Sequence, residues 1–267
     1  MSYTRQPAVA GTFYPAHSRR LREMVQDFLA ASKSKESPIT PKAIIAPHAG
    51  YIYSGLIAGA AYAQVAALRG QITRVLLLGP AHTLYLQGLA ASSAAYFATP
   101  LGDVAVDQEA IAQILPLPQV RVLDAAHGRE HGLEVHLPFL QLTLGSDFKL
   151  VPLVVGDADA AEVAEALEPL WGGPETLIVI SSDLSHFLDY GAAKVKDAAT
   201  AVAIQQLNPA ALGENSACGR VPIGGLLHAA RQRGLRTHLL DLRNSGDTAG
   251  PKDRVVGYGA WVVGTES

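Results

Sequence analysis

Cysteine is almost absent from this chain: Cys218 is the only one among 267 residues. No intrachain disulfide can form, and a reducing cytosol is the simplest compartment for such a protein. Charge is sparse too, with 17% Asp, Glu, Lys and Arg, a net charge of −3 and no Lys/Arg block. Nucleic acid is therefore not an expected partner. The opening Met1-Ser2-Tyr3-Thr4-Arg5-Gln6-Pro7 has no apolar h-region, so no secretory signal is expected. Nor is a stretch apolar and long enough to span a bilayer expected, which leaves no membrane partner. The phosphate-cradling patterns Gly-x-x-x-x-Gly-Lys-[Ser/Thr] and Gly-x-Gly-x-x-Gly are missing, as is the Gly-x-Ser-x-Gly elbow. Nucleotide binding and α/β-hydrolase chemistry thus lack sequence support.

What remains is a chain of which 49% is apolar, long enough to bury a substantial core. Ala43-Ile44-Ile45, Val75–Leu78 and Leu177–Ile180 are short and charge-free. Such runs read as strands buried on both faces of a parallel sheet. Further strands are expected at Lys42–Ala46, Arg74–Gly79, Val120–Leu123, Phe148–Val155, Thr176–Ser181, Leu235–Leu242 and Val255–Val263. Helices are expected over Arg19–Ala31 with Ser18 as N-cap, Ser54–Leu68, Asp107–Leu115, Glu134–Leu144, Ala160–Glu168 with Asp159 as N-cap, Ala192–Gln206 and Val221–Arg233. Gly55 and Gly59 would let the second of these approach the sheet. Ser32–Thr40 reads as a surface loop, and Gly88–Pro100 as an antiparallel excursion. Sustained alternation without a composition break predicts one α/β domain over residues 1–267.

Three of the strands end in a turn that carries histidine: Ala46-Pro47-His48-Ala49-Gly50-Tyr51, Gly79-Pro80-Ala81-His82 and Ser181-Ser182-Asp183-Leu184-Ser185-His186. Open α/β sheets place ligands at the carboxyl edge of their strands, so repetition of this pattern suggests a metal-centred site. Asp183 and His186, at i and i+3, can share one face of a turn or helix start. Asp183 then either orients an imidazole from behind or fixes the tautomer of an acid/base His186. Cys218 precedes Arg220 and a helix start, both of which favour thiolate, a soft ligand for zinc, iron or copper. With a histidine base it would instead serve as a nucleophile.

The segment Glu130-His131-Gly132-Leu133-Glu134-Val135-His136-Leu137-Pro138 is dense in metal-type residues without matching a His-Glu-x-x-His helix. If extended, it puts Glu134 and His136 on one side, as a pocket wall, a second shell or ligands. Tyr51 and Tyr53 either line a pocket or belong to the core. His17, His127, His228 and His238 have no partner pattern and read as structural or surface residues.

Taken in order, these segments resemble the Memo family, also called AmmeMemoRadiSam system protein B. The resemblance also rests on Pro7-Ala8-Val9-Ala10-Gly11-Thr12-Phe13-Tyr14-Pro15, Cys218-Gly219-Arg220-Val221-Pro222-Ile223-Gly224 and Asn244-Ser245-Gly246-Asp247. It implies a single-domain, three-layer α/β sandwich with a central mixed, mostly parallel sheet, like the class III extradiol dioxygenases. It further implies a metal held by His48, His82 and Cys218, with His186 and Asp183 beside it as catalytic residues. Iron(II) is the first expectation, with copper or zinc as alternatives. In the dioxygenases a glutamate stands where this family has the cysteine, so ordinary catechol cleavage does not follow from the resemblance.

The functions this leaves are a redox-active non-haem metal enzyme, a zinc-dependent hydrolase, and a non-catalytic protein that binds a peptide or other partner in the same pocket. The expected ligand is a small molecule or peptide. The Gly- and Ala-rich faces would tolerate a homodimer.

Overall fold

The computed structural model describes residues 3–32 and 37–266. Its centre is a nine-stranded sheet. Along it run His186–Leu188, Val255–Glu266, Ile39–Ala46, Thr176–Ser181, Arg74–Pro80, Lys149–Val155, Leu89–Ala91 and Val120–Val122, and Arg236–Asn244 also pairs with Val255–Glu266. The four middle strands, Ile39–Ala46 to Lys149–Val155, are mutually parallel, while Val255–Glu266 and Leu89–Ala91 join antiparallel. The fold is thus a mixed α/β domain whose parallel strands hold the centre. Thr176–Ser181 is buried along its whole length, which explains its freedom from polar alternation.

Helices Ser18–Ala31, Tyr51–Val65 and Leu137–Leu144 pack together on one side. Ala160–Leu167, Tyr190–Gln205 and Arg220–Gln232 cover the other, and one continuous apolar core joins the layers. Asp159 and Asp107 cap their helices through side-chain hydrogen bonds, as their positions predict.

Several local expectations need correction. Ser18 is the first helical residue, and the N-cap is His17, with no side-chain cap bond. The strand expected at Lys42 begins at Ile39, and Pro41 lies within it. Proline is tolerated there because pairing with Thr176–Ser181 starts only at Ala43, so no N–H is needed on that side. Of the loop expected over Ser32–Thr40, residues 33–36 lie outside the described residues. Gly55 and Gly59 face the neighbouring helix, not the sheet. A Cβ on either would strike Phe28 within 3 Å. Leu89–Ala91 joins the main sheet, whereas Tyr96–Thr99 forms a separate three-stranded sheet with Thr4–Arg5 and Gly102–Ala105.

Tyr51–Leu68, contrary to expectation, is an uncharged 18-residue stretch of mean hydropathy 1.3, long and apolar enough to cross a membrane by those measures alone. It packs against the sheet, against Ser18–Ala31 and against Leu137–Leu144, with Ile57, Ala60, Ala61 and Tyr62 fully buried, so it serves as a core helix.

Candidate metal centre

Strand register decides where the histidines meet. Ala46 pairs with Ser181, and Leu78 pairs with Ile180, so three neighbouring parallel strands finish at one edge. The chain then leaves each strand through Pro47-His48, Ala81-His82 and Ser182-Asp183. From the far side, the loop before helix Arg220–Gln232 delivers Cys218. A Cβ at Gly219 would lie 2.6 Å from the Ser182 Cβ and 2.7 Å from the Ser181 oxygen, so only glycine lets this loop approach so closely.

Ligand atoms of His48, His82 and Cys218 all lie within 4.8 Å of one another. Cys218 Sγ is 3.4 Å from His48 Nε2. The hydrogen-bond network assigns the tautomers. Ser181 Oγ donates to the Gly132 carbonyl, so it accepts the proton of His48 Nδ1, at 2.6 Å. His82 Nδ1 donates to Glu130 Oε1 at 2.8 Å, and His186 Nδ1 to the Leu184 carbonyl at 2.8 Å. Each of the three rings therefore keeps Nδ1–H on a protein acceptor and leaves Nε2 as the nitrogen turned away from it. Burial, followed by the neighbouring imidazoles of His82 and His131, holds the His48 pKa well below the usual value. His48 is thus neutral, which is the form that ligates.

Asp183 does not serve His186. Residues 182–185 adopt neither turn nor helix, and Asp183 Oδ1 accepts the His48 backbone N–H at 2.8 Å, with Oδ2 4.0 Å from His48 Nε2. Its own N–H points to Cys218 Sγ at 3.3 Å, and its carbonyl accepts the Cys218 N–H at 3.2 Å. Asp183 thus fastens His48 and Cys218 to each other. His186 sits on the exposed edge strand His186–Leu188. The next residue, Phe187, has φ 61°, a left-handed conformation uncommon for a bulky side chain.

The expected Cys218 thiolate is not what the surroundings favour. Burial, and then the nearby Asp183 carboxylate, push the thiol up to about 12, outweighing hydrogen bonds from Asp183, Ser182 and Gly219. Without a cation, Cys218 keeps its proton.

The Glu130–Pro138 segment divides differently from the extended reading. Glu134–His136 is a 3-10 turn leading into helix Leu137–Leu144. The Glu134 carboxylate, fully buried, binds Arg5, the N–H groups of Ala8 and Val9, and the Tyr14 hydroxyl. It anchors the N-terminal segment instead of lining a pocket. His136 Nδ1 meets the Tyr62 hydroxyl at 2.8 Å, and the Tyr51 ring lies among Tyr14, Phe28 and Phe139 with its hydroxyl on the Val135 carbonyl. Glu130 and His131, in contrast, reach the histidine cluster. Burial alone would raise the Glu130 carboxyl, yet the His82 ring and the N–H groups of Gly132 and His82 bring it down to about 2.

His82, Glu130 and His131 form a second group of donors within 4.8 Å. Its geometry is poorer. The His82 and His131 rings are stacked at 24°, so their in-plane lone pairs run side by side, whereas His48 and His82 cross at 76° and can converge on one ion. Two imidazoles and one cysteine sulfur suit zinc, iron or copper. A cavity of about 510 Å³ opens beside this set, walled by His82, His186 and Cys218, by the apolar Leu184, Leu188 and Ala217, and by the polar Lys196, Glu214 and Asn215.

The sequence profile described as Memo-like protein matches residues 5–262. Among curated relatives, a MEMO1 family protein of Aquifex aeolicus is 38% identical over 264 residues, covering 95% of this chain and 97% of its own. Another from Aeropyrum pernix is 38% identical with 96% and 98% covered, and one from Sulfolobus acidocaldarius is 36% identical with 95% and 97% covered. An uncharacterized protein of Escherichia coli K12 shares the fold, with a TM-score of 0.55 and 13% identity over 82% of this chain and 98% of its own. Profile and relatives span the strand ends, the Glu130–Pro138 segment and Cys218 alike, and the chain belongs to the Memo family.

Proposed function

We propose that this protein is a non-haem metal enzyme that acts on a small molecule at a His48/His82/Cys218 centre, with iron or copper as the working ion. One observation carries the reading. His48 and His82 each have Nδ1–H committed to a protein acceptor and Nε2 left for an ion, within 4.8 Å of each other and of the Cys218 sulfur. A fixed tautomer with a bare nitrogen is the form a ligating histidine takes. When bound, the metal would supply redox capacity and a Lewis-acid position for oxygen or substrate.

The protein's own residues do the rest. Asp183 holds the His48 backbone and the Cys218 loop in one frame. Leu184, Leu188 and Ala217 offer the cavity an apolar side, and Lys196, Glu214 and Asn215 a polar one that can orient a substrate carrying both kinds of group. His186, with Nδ1–H on the Leu184 carbonyl, has Nε2 available to accept a substrate proton and later return it.

Metal content after anaerobic purification, for wild type and His48→Ala, tests this reading. Near-stoichiometric iron or copper in wild type, lost in the variant, supports it. Zinc would shift the assignment to hydrolysis, and no metal even after anaerobic reconstitution would leave a ligand- or peptide-binding pocket on an enzyme-like fold.

A further inference from the structure

The two histidines come from different strands, yet their Nδ1 protons lead to the same three residues. His82 Nδ1 donates to Glu130 Oε1, and Glu130 Oε2 accepts the His82 backbone N–H at 2.7 Å. His48 Nδ1 donates to Ser181 Oγ, which in turn donates a hydrogen bond to the Gly132 carbonyl. Glu130 Oε1 also accepts the Gly132 N–H at 2.9 Å, which closes the turn on itself. Between them, His131 stacks on the His82 ring at 4.7 Å and lies against Phe13 at 4.8 Å. Gly132 lies under both rings: a Cβ there would be 3.5 Å from His82 Cε1 and 3.6 Å from His48 Nδ1. Arg5 anchors the turn from behind through the Glu130 carbonyl at 2.6 Å.

We propose that the turn Glu130-His131-Gly132 is the positioning element for both imidazoles, fixing with one backbone piece the tautomer and the aim of His48 and His82. This rests on the metal reading above. None of the three residues is assigned to the ion itself. Glu130 acts through His82, and Gly132 acts through Ser181 on His48. A carboxylate behind a ligating imidazole raises its basicity, while a hydroxyl relay holds orientation with less charge. The two relays should therefore contribute unequally, Glu130 more than Ser181.

Cobalt(II) binding to the purified full-length protein provides the test, because its visible spectrum reports coordination independently of turnover. Glu130→Gln keeps the side-chain shape and removes the charge, and should weaken cobalt binding about 10- to 100-fold with altered visible bands. Ser181→Ala should weaken it less, since it removes an uncharged relay. In both variants the sulfur-to-metal absorption should persist, because Cys218 is untouched. If wild type binds cobalt and both folded variants match it in affinity and spectrum, the positioning role is wrong while the metal reading stands. If wild type binds neither cobalt nor iron, both fall. Should Glu130→Gln fail to fold, as judged by far-ultraviolet circular dichroism, Ser181→Ala decides alone: wild-type affinity and bands would overturn the proposal.

Discussion

Two kinds of buried histidine stand side by side in this protein. His48 is 2% exposed, with Nδ1 on a hydroxyl and Nε2 directed at a sulfur. His127 and His136 are buried as deeply, at 1% each, but each makes one hydrogen bond and leaves the other nitrogen facing protein, with no partner among the described residues. Burial holds all three neutral, so neither depth nor protonation state separates them. What separates them is whether the bare nitrogen meets other donors. A buried histidine becomes a candidate ligand only when its lone pair converges with others.

The strongest way to break this comparison is to exchange the two roles. His48→Ala should lower metal affinity by at least about 100-fold, the upper end of what losing even an outer partner costs, while His127→Gln should leave metal content unchanged. Isothermal titration of both variants with iron(II) under argon decides it, and equal losses would erase the distinction.

Acid provides the second contrast, in metal-free protein. Burial, opposed by the Ala90 carbonyl and Asp124, brings the His127 pKa down to about 4. Burial, and then the proximity of the His48 imidazole, bring His136 down to about 3. The unfolded chain takes up these protons below about pH 6.5 and the folded chain does not, so stability is retained above pH 6.5 and lost as pH falls. The expected loss from His127 is about 3 kcal/mol between pH 6.5 and 4, at ~1.4 kcal/mol per unit. Urea unfolding from pH 7 to 4 should show a shallower acid slope for His127→Gln. An unchanged slope would remove His127 from the account.

Among the residues around the cavity, His186, which lies outside the triad of donors, should affect metal least. His186→Asn should keep metal affinity within about threefold of wild type, while substrate turnover, once a substrate is found, should drop by about 100-fold or more as a proton-transfer group is lost. A large fall in metal content would move His186 into the ligand set.

Much of this was legible in the sequence, and for a definite reason. Short charge-free runs rich in branched residues, such as Leu177–Ile180 and Val75–Leu78, read as doubly buried strands, and their ends share an edge once they are parallel. The histidine turns followed from that geometry. Glu130 was not singled out because its role depends on contact with His82, 48 residues away in sequence, which no local period reveals. Glu134 and His136 were placed by alternation, and a 3-10 turn has three residues per turn, so the alternation was void. For Cys218 the local cues, Arg220 and the helix start, favoured thiolate, but desolvation outweighed them. The length of the apolar helix Tyr51–Leu68 was underestimated, although the residues were in plain view.

The proton held on Cys218 has a practical consequence in reagent chemistry. A thiol with a pKa of about 12 offers almost no nucleophile near neutrality, so the metal-free protein should resist iodoacetamide and air far better than an ordinary surface cysteine. A bound cation strips that proton, replacing a latent thiol with a coordinated sulfur. The single cysteine is thus expected to react slowly in the empty protein. On the metal reading it would be spoken for once an ion is bound, so that its free thiolate would be scarce in either state at neutral pH.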